Sequence, residues 1–91
     1  MRLHYYGRLD SLESCYSFQE YEIDGMTLHL QNAPRFGYEP ATMIIKNPAM
    51  FIKREDGYLR YVIEDFSLEV VDGVIKLDEA LLRDIVAAVN E

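Results

Sequence analysis

The sequence predicts a β-dominated α+β domain. The expected form is a strongly bent antiparallel sheet or small open barrel of six or seven strands, with one C-terminal helix packed on it. Three observations predict this. Asp24-Gly25, Asp56-Gly57 and Asp72-Gly73 each stand between strand-like runs. An Asp-Gly pair suits a two-residue type I′ turn, because both central residues there need positive φ. Within the runs, apolar residues recur at every second position, the period of a half-buried strand. After Asp78 the apolar spacing becomes that of a helix.

The elements follow in order. Residues 3–6 form a first strand, and Gly7 to Ser14 is polar enough to be a loop or a bulged edge. Residues 15–23 and 26–31 pair across Asp24-Gly25, which sets Ile23 opposite Met26 and Tyr21 opposite Leu28. Met26, Leu28 and Leu30 alternate with Thr27, His29 and Gln31. Tyr16 and Phe18 have the opposite parity to Tyr21 and Ile23. Either both faces of that strand are covered or a bulge shifts its register.

Residues 32–40 hold two prolines and a glycine and read as a loop. Residues 41–46 are a short apolar strand that Asn47-Pro48 ends. Residues 50–55 and 58–63 pair across Asp56-Gly57. One face carries Met50, Ile52, Leu59, Tyr61 and Ile63, the better core; the other carries Phe51, Lys53, Glu55, Tyr58, Arg60 and Val62. This register sets Lys53 against Arg60, which is unfavourable without a nearby acid. Residues 67–71 and 74–77 make the third hairpin, with Glu69 facing Lys76. Asp78 then caps a helix over residues 79–90, with Glu79 suited to its positive end. Leu81, Leu82, Ile85, Val86 and Val89 form its apolar stripe. Three turns are marginal in water, so the helix is expected to pack on the sheet.

Ninety-one residues make a single domain, residues 1–91, with one modest core. Apolar content of 49% is enough to fold it. One cysteine, Cys15, excludes an internal disulfide and fits a reducing compartment. The N-terminus lacks an apolar signal core, and no apolar run reaches the ~18 residues of a membrane span. The expectation is a soluble cytoplasmic protein.

Net charge is −7, with balances of −3 over residues 1–34, +2 over 35–60 and −6 over 61–91. Nucleic-acid backbones are bound by neutralising phosphates, so an acidic domain is a poor candidate for that role. Acidity also keeps small proteins soluble without any partner.

The chemistry-bearing residues are sparse. His4 and His29 lie in different strands, and no cysteine pair exists, so no metal site is expected. A Cys15–His29 nucleophile pair is out of register, because Gln19 faces Leu30. The carboxylate pairs Glu64-Asp65, Glu55-Asp56 and Glu20/Glu22 read as solvated strand ends, and the five glycines form no phosphate loop. We therefore expect no enzyme and no cofactor.

Three features point to binding. The loop from Pro34 to Pro40 presents Arg35, Phe36 and Tyr38, residue types enriched at interface hot spots, although the two rings could instead plug the core. An acidic set of Glu64, Asp65, Glu69, Asp72, Glu79 and Asp84 could imitate nucleic acid. A basic strip of Lys46, Lys53, Arg54 and Arg60 lies near Phe51 and Tyr58 and could hold an anion or nucleotide. Pairing with nearby acids is the plainer account of that strip.

The reading is a small acidic non-enzymatic protein that occludes a macromolecular partner, expected to be a protein. Possible settings are a phage- or mobile-element-encoded inhibitor, an antitoxin or immunity protein, or a subunit of an assembly. The alternatives are a nucleotide- or small-molecule-binding β-domain using the basic hairpin, and a structural module that dimerises through the edge strand Leu3 to Tyr6.

Overall fold

The computed structural model describes residues 1–12, 17–33 and 41–90. The described chain is β1 (Arg2–Leu9), β2 (Phe18–Ile23), β3 (Met26–Gln31), β4 (Thr42–Lys46), β5 (Ala49–Arg54), β6 (Gly57–Glu64), β7 (Ser67–Val71), β8 (Val74–Lys76) and α1 (Glu79–Val89). The protein is β-dominated with one C-terminal helix. No helix among the described residues is long and apolar enough to cross a membrane.

Two antiparallel sheets replace the expected single bent sheet or open barrel. One has the order β1-β6-β5-β3-β2 and the other β4-β7-β8, and neither closes. The strands number eight among the described residues, one for each of the eight ranges read from the sequence, so the expected total of six or seven was too low. The division has a local cause. β4 runs into β5, and β6 into β7, so the two sheets share one long two-stranded ribbon broken at a single level. On one strand the break is Asn47-Pro48, and on the other Asp65-Phe66. Pro48 has no N–H to give a ladder, and Asn47 and Asp65 both take left-handed backbone, at φ 49° and 56°. The corner is tied by Asn47 N–H donating to the Phe66 carbonyl at 2.8 Å, and by Asp65 N–H donating to Asn47 Oδ1 at 3.1 Å. Strands that change sheets through such kinks form the corners of packed sheet pairs.

The hairpins at Asp24-Gly25 and Asp72-Gly73 have two-residue turns, with Ile23 opposite Met26 and Val71 opposite Val74. All four turn residues have positive φ, between 50° and 79°. The middle hairpin differs from expectation. Arg54 pairs with Gly57, so the turn is Glu55-Asp56 and Gly57 belongs to the strand. Lys53 consequently faces Tyr58, and Arg60 faces Phe51; the expected Lys53–Arg60 opposition does not occur. Each strand is displaced by one residue, so the two together keep every residue on its expected face. Met50, Ile52 and Ile63 are fully buried in the core.

β1 extends to Leu9, so of the two expectations for Gly7 onward, a loop or a bulged edge, the bulged edge holds as far as Leu9. It pairs with β6 along its length, with a bulge between Tyr5 and Gly7. β2 shows no register shift, so the parity conflict at Phe18 is met by covering both faces. Phe18 lies edge-on to buried Phe51 at 5.1 Å, while Tyr21 packs on the core.

The core lies between one face of the five-stranded sheet and the three-stranded sheet with α1. Leu28, Leu30, Met50, Ile52 and Ile63 come from the first; Leu68, Val70, Ile75, Ile85 and Val86 come from the second and from α1. Polar side chains stitch the layers. Gln19 Oε1 accepts from Ile75 N–H at 2.9 Å, and Asn32 Nδ2 donates to the Gly73 carbonyl at 3.1 Å. The helix begins at Asp78, whose carboxylate accepts from Leu81 N–H at 2.8 Å.

Candidate functional site

The most chemically distinctive described surface is the outer edge of β1. Its backbone orientation follows from the neighbouring hairpin. The tight turn makes Arg54 and Gly57 a hydrogen-bonded pair, and the antiparallel ladder alternates from there. Tyr58, Arg60, Val62 and Glu64 therefore turn their backbone groups toward β1. Ile63 agrees with this alternation, because its N–H donates the other way, to the Pro48 carbonyl at 3.0 Å. Arg2 faces Glu64 and His4 faces Val62, so these two bond inward. Leu3 and Tyr5 turn their N–H and C=O groups outward, where no strand of the described residues lies in this sheet.

The side chains along this edge are aromatic and cationic. Tyr5 and Tyr6 are 52% and 55% exposed, although both lie within a strand. They project on opposite sides. Tyr5 packs on Tyr61 with 5.3 Å between ring centres. Tyr6 lies 4.5 Å from the His4 ring, and the Arg60 guanidinium sits 5.4 Å over it. That last spacing is within the range of a cation–π contact.

Ion pairs fasten β1 at both ends. Arg2 Nε donates to Glu64 Oε2 at 3.0 Å, and its terminal nitrogen binds the same oxygen. His4 Nδ1 lies 3.3 Å from the other Glu64 oxygen. The Arg2 hydrogen bond holds the Glu64 carboxyl below the usual carboxylate range, and Glu64 in turn raises Arg2. At the far end, Arg8 binds Asp56 in the β5–β6 turn. Every cation of β1 thus has a carboxylate beside it, and the edge carries little net charge on a body of −7.

The residues singled out from the sequence are scattered. Glu64 and Asp65 sit together at the sheet corner, with Glu64 engaged by Arg2. Glu69 lies mid-strand in β7, opposite Lys76 as the sequence implied. Asp72 occupies a turn. Glu79 accepts from Arg83 at 2.9 Å, and Asp84 is exposed on α1. These six span three regions of the fold, and half of them have a cation paired or opposite.

The basic set is likewise divided. Lys46 belongs to the three-stranded sheet, opposite Ser67. Lys53 and Arg54 are exposed at the end of β5, and Arg60 is half-buried against Tyr6. Arg35, Phe36, Tyr38 and Cys15 lie outside the described residues.

His4 and His29 do not meet, because β6 and β5 separate their strands. His29 is largely covered, with its ring edge-on to Tyr58 at 5.7 Å and Nε2 3.8 Å from a Glu20 oxygen. Burial lowers its pKa, against the opposing pull of Glu20. No group of three or more metal-ligating side chains forms among the described residues, and no cavity opens there.

Sequence reasoning identified the first strand as an exposed edge. It missed the clamps that fix the edge, since Arg2–Glu64 and Arg8–Asp56 join residues 62 and 48 positions apart. No local pattern could have revealed them. No protein-family model matches the chain, and neither does any curated protein or solved structure.

Proposed function

We propose that this chain is a small non-enzymatic binding module that docks on a protein partner through the outer edge of β1 and occludes the partner's surface. An inhibitor, antitoxin, immunity or phage accessory protein would work in this way. One observation carries the reading: Tyr5 and Tyr6 are both more than half exposed, on opposite faces of an edge strand held in place at each end. Strand edges recruit partner strands through their unpaired backbone groups, and flanking side chains supply selectivity. Tyrosine and arginine are enriched where interface energy concentrates, and a pre-ordered edge loses little entropy on binding.

The anion-binding reading has weaker support, because Lys46, Lys53, Arg54 and Arg60 are spread over two sheets. The acidic set has a secondary role in this account. Exposed Asp65, Asp72 and Asp84 steer association and make it salt-sensitive.

The test compares affinity capture from the source cells by wild type and by a Tyr5→Ala/Tyr6→Ala variant. Both side chains are more than half exposed, and circular dichroism checks that the variant is folded. The expected result is a stoichiometric protein recovered by wild type and lost from the variant. Equal recovery by both proteins would overturn the assignment to β1.

A further inference from the structure

The same edge has a second property: it is complementary to itself. We infer that a second copy of this chain occupies β1 in the free protein, pairing antiparallel across a two-fold axis at His4 and joining two five-stranded sheets into one of ten strands. The inference rests on the proposed role of β1 as a docking edge and names its occupant.

The register follows from the backbone. Only Leu3 and Tyr5 turn their hydrogen-bonding groups outward in the regular part of β1, before the bulge between Tyr5 and Gly7. In an antiparallel pair, outward-facing residues must oppose each other. Leu3 of one copy therefore faces Tyr5 of the other, and the reverse, with two hydrogen bonds each. His4 then faces its own equivalent as a non-hydrogen-bonded pair on the axis, and Arg2 faces Tyr6. Leu3 and Tyr5 meet on the core side of the sheet, and each Arg2 meets the exposed ring of Tyr6 on the other side. Centring the pair on Tyr5 instead would set Arg2 against Arg8, which is unfavourable.

Charge selects this edge over the others. Copies carrying −7 each repel over most of their surface. Along β1 the cations Arg2 and Arg8 already balance Glu64 and Asp56. The opposite edge of the sheet, β2, exposes Glu20 and Glu22, and pairing it with itself about Tyr21 would oppose those carboxylates. The outer edge of β8 is occupied, because Ile75 N–H already donates to Gln19. β4 is the remaining edge among the described strands, and its residues Thr42–Lys46 include no aromatic side chain and no acid.

Two measurements test the pairing. The first is sedimentation of wild type and Tyr5→Pro. The Tyr5 N–H points outward, so proline removes no hydrogen bond within one copy, and edge strands tolerate it there. Wild type is expected at twice the mass of one chain and Tyr5→Pro at a single mass, both with native circular dichroism. The second is cysteine trapping in a Cys15→Ser background. Opposed non-hydrogen-bonded residues have Cα atoms about 4.5 Å apart, within disulfide reach. His4→Cys is expected to oxidise to a covalent dimer, whereas Arg2→Cys, offset by four residues from its equivalent, is not. A wild type that stays monomeric when concentrated overturns the inference. So does a dimer that survives Tyr5→Pro and fails to trap through His4→Cys, since it must use another edge, β4 first. A monomeric wild type that still captures a partner through Tyr5 and Tyr6 removes only the self-pairing and leaves the docking role intact.

Discussion

Gly57 lies so close to Leu9 that a Cβ built on it would stand 2.4 Å from the Leu9 carbonyl oxygen. Its φ of 140° is also outside the range that side-chain-bearing residues adopt readily. The contact places the end of β1 directly on the start of β6. Gly57→Ala should cost about 2–3 kcal/mol, from overpacking and backbone strain together. Gly25→Ala serves as the comparison. That glycine has nothing within 4 Å of a built Cβ, so only its positive φ is penalised, at about 1 kcal/mol. Urea unfolding of both variants checks the difference.

Gln31 is buried and spends both ends of its amide on backbone. Its Nε2 donates to the Ala33 carbonyl at 2.9 Å, and its Oε1 accepts from Ala49 N–H at 3.1 Å. Gln31→Leu keeps the approximate volume but leaves both groups without their partner. The expected loss is about 2–4 kcal/mol, from two desolvated groups at about 1–2 kcal/mol each. A change within ~0.5 kcal/mol, the range typical of an inert surface site, would show that Gln31 is not needed.

His29 makes stability depend on pH. Its folded pKa lies below the ordinary value of about 6.5 because burial disfavours the imidazolium. Between the folded and unfolded values the unfolded chain binds more protons, so stability rises with pH. Its contribution is complete above about pH 6.5 and declines as pH falls through that value toward the folded pKa. Thermal midpoints of wild type should drop across that interval, and those of His29→Phe should drop less. Parallel curves would contradict the assignment.

Glu64 acts in a lower window. Arg2 depresses its pKa, so its contribution is present above the ordinary carboxylate value near 4.3 and disappears as pH falls through the folded value. Glu64→Gln should flatten the acid limb of the stability curve below that point, and Arg2→Gln should flatten it less completely, because His4 still faces Glu64. The pair is exposed, so the effect is small and should shrink with added salt.

The fold was largely legible wherever the signal is local. Alternation at Met26, Leu28 and Leu30 gave the right inward face, and Asp78 gave the helix start. The register error at Glu55-Asp56 arose because Gly57 stands just after the turn and not within it. Neither Glu55 nor Asp56 has positive φ, whereas Gly57 has φ 140° and also accommodates Leu9, 48 positions away. Division into two sheets was equally hidden. Asn47-Pro48 was readable as a break, but Asp65-Phe66 matters only because it lies beside it across the ribbon. The candidate site followed the same pattern. Exposure of the first strand was legible, whereas the carboxylates that fix Arg2 and Arg8 arrive through the fold. The acidic and basic sets were grouped by closeness in sequence, and alternation and turns then dispersed them.

The central claim is that β1 is the surface on which another protein docks. Photo-crosslinking tests it most directly, with benzoyl-phenylalanine placed at position 6 in one protein and at position 74 in another. Tyr6 and Val74 are similarly exposed, at 55% and 58%, but lie on different sheets. The account predicts that irradiation in source-cell extract joins position 6 to a discrete protein, either another copy or a different chain, and leaves position 74 unlinked. Crosslinks from position 74 with none from position 6 would contradict it.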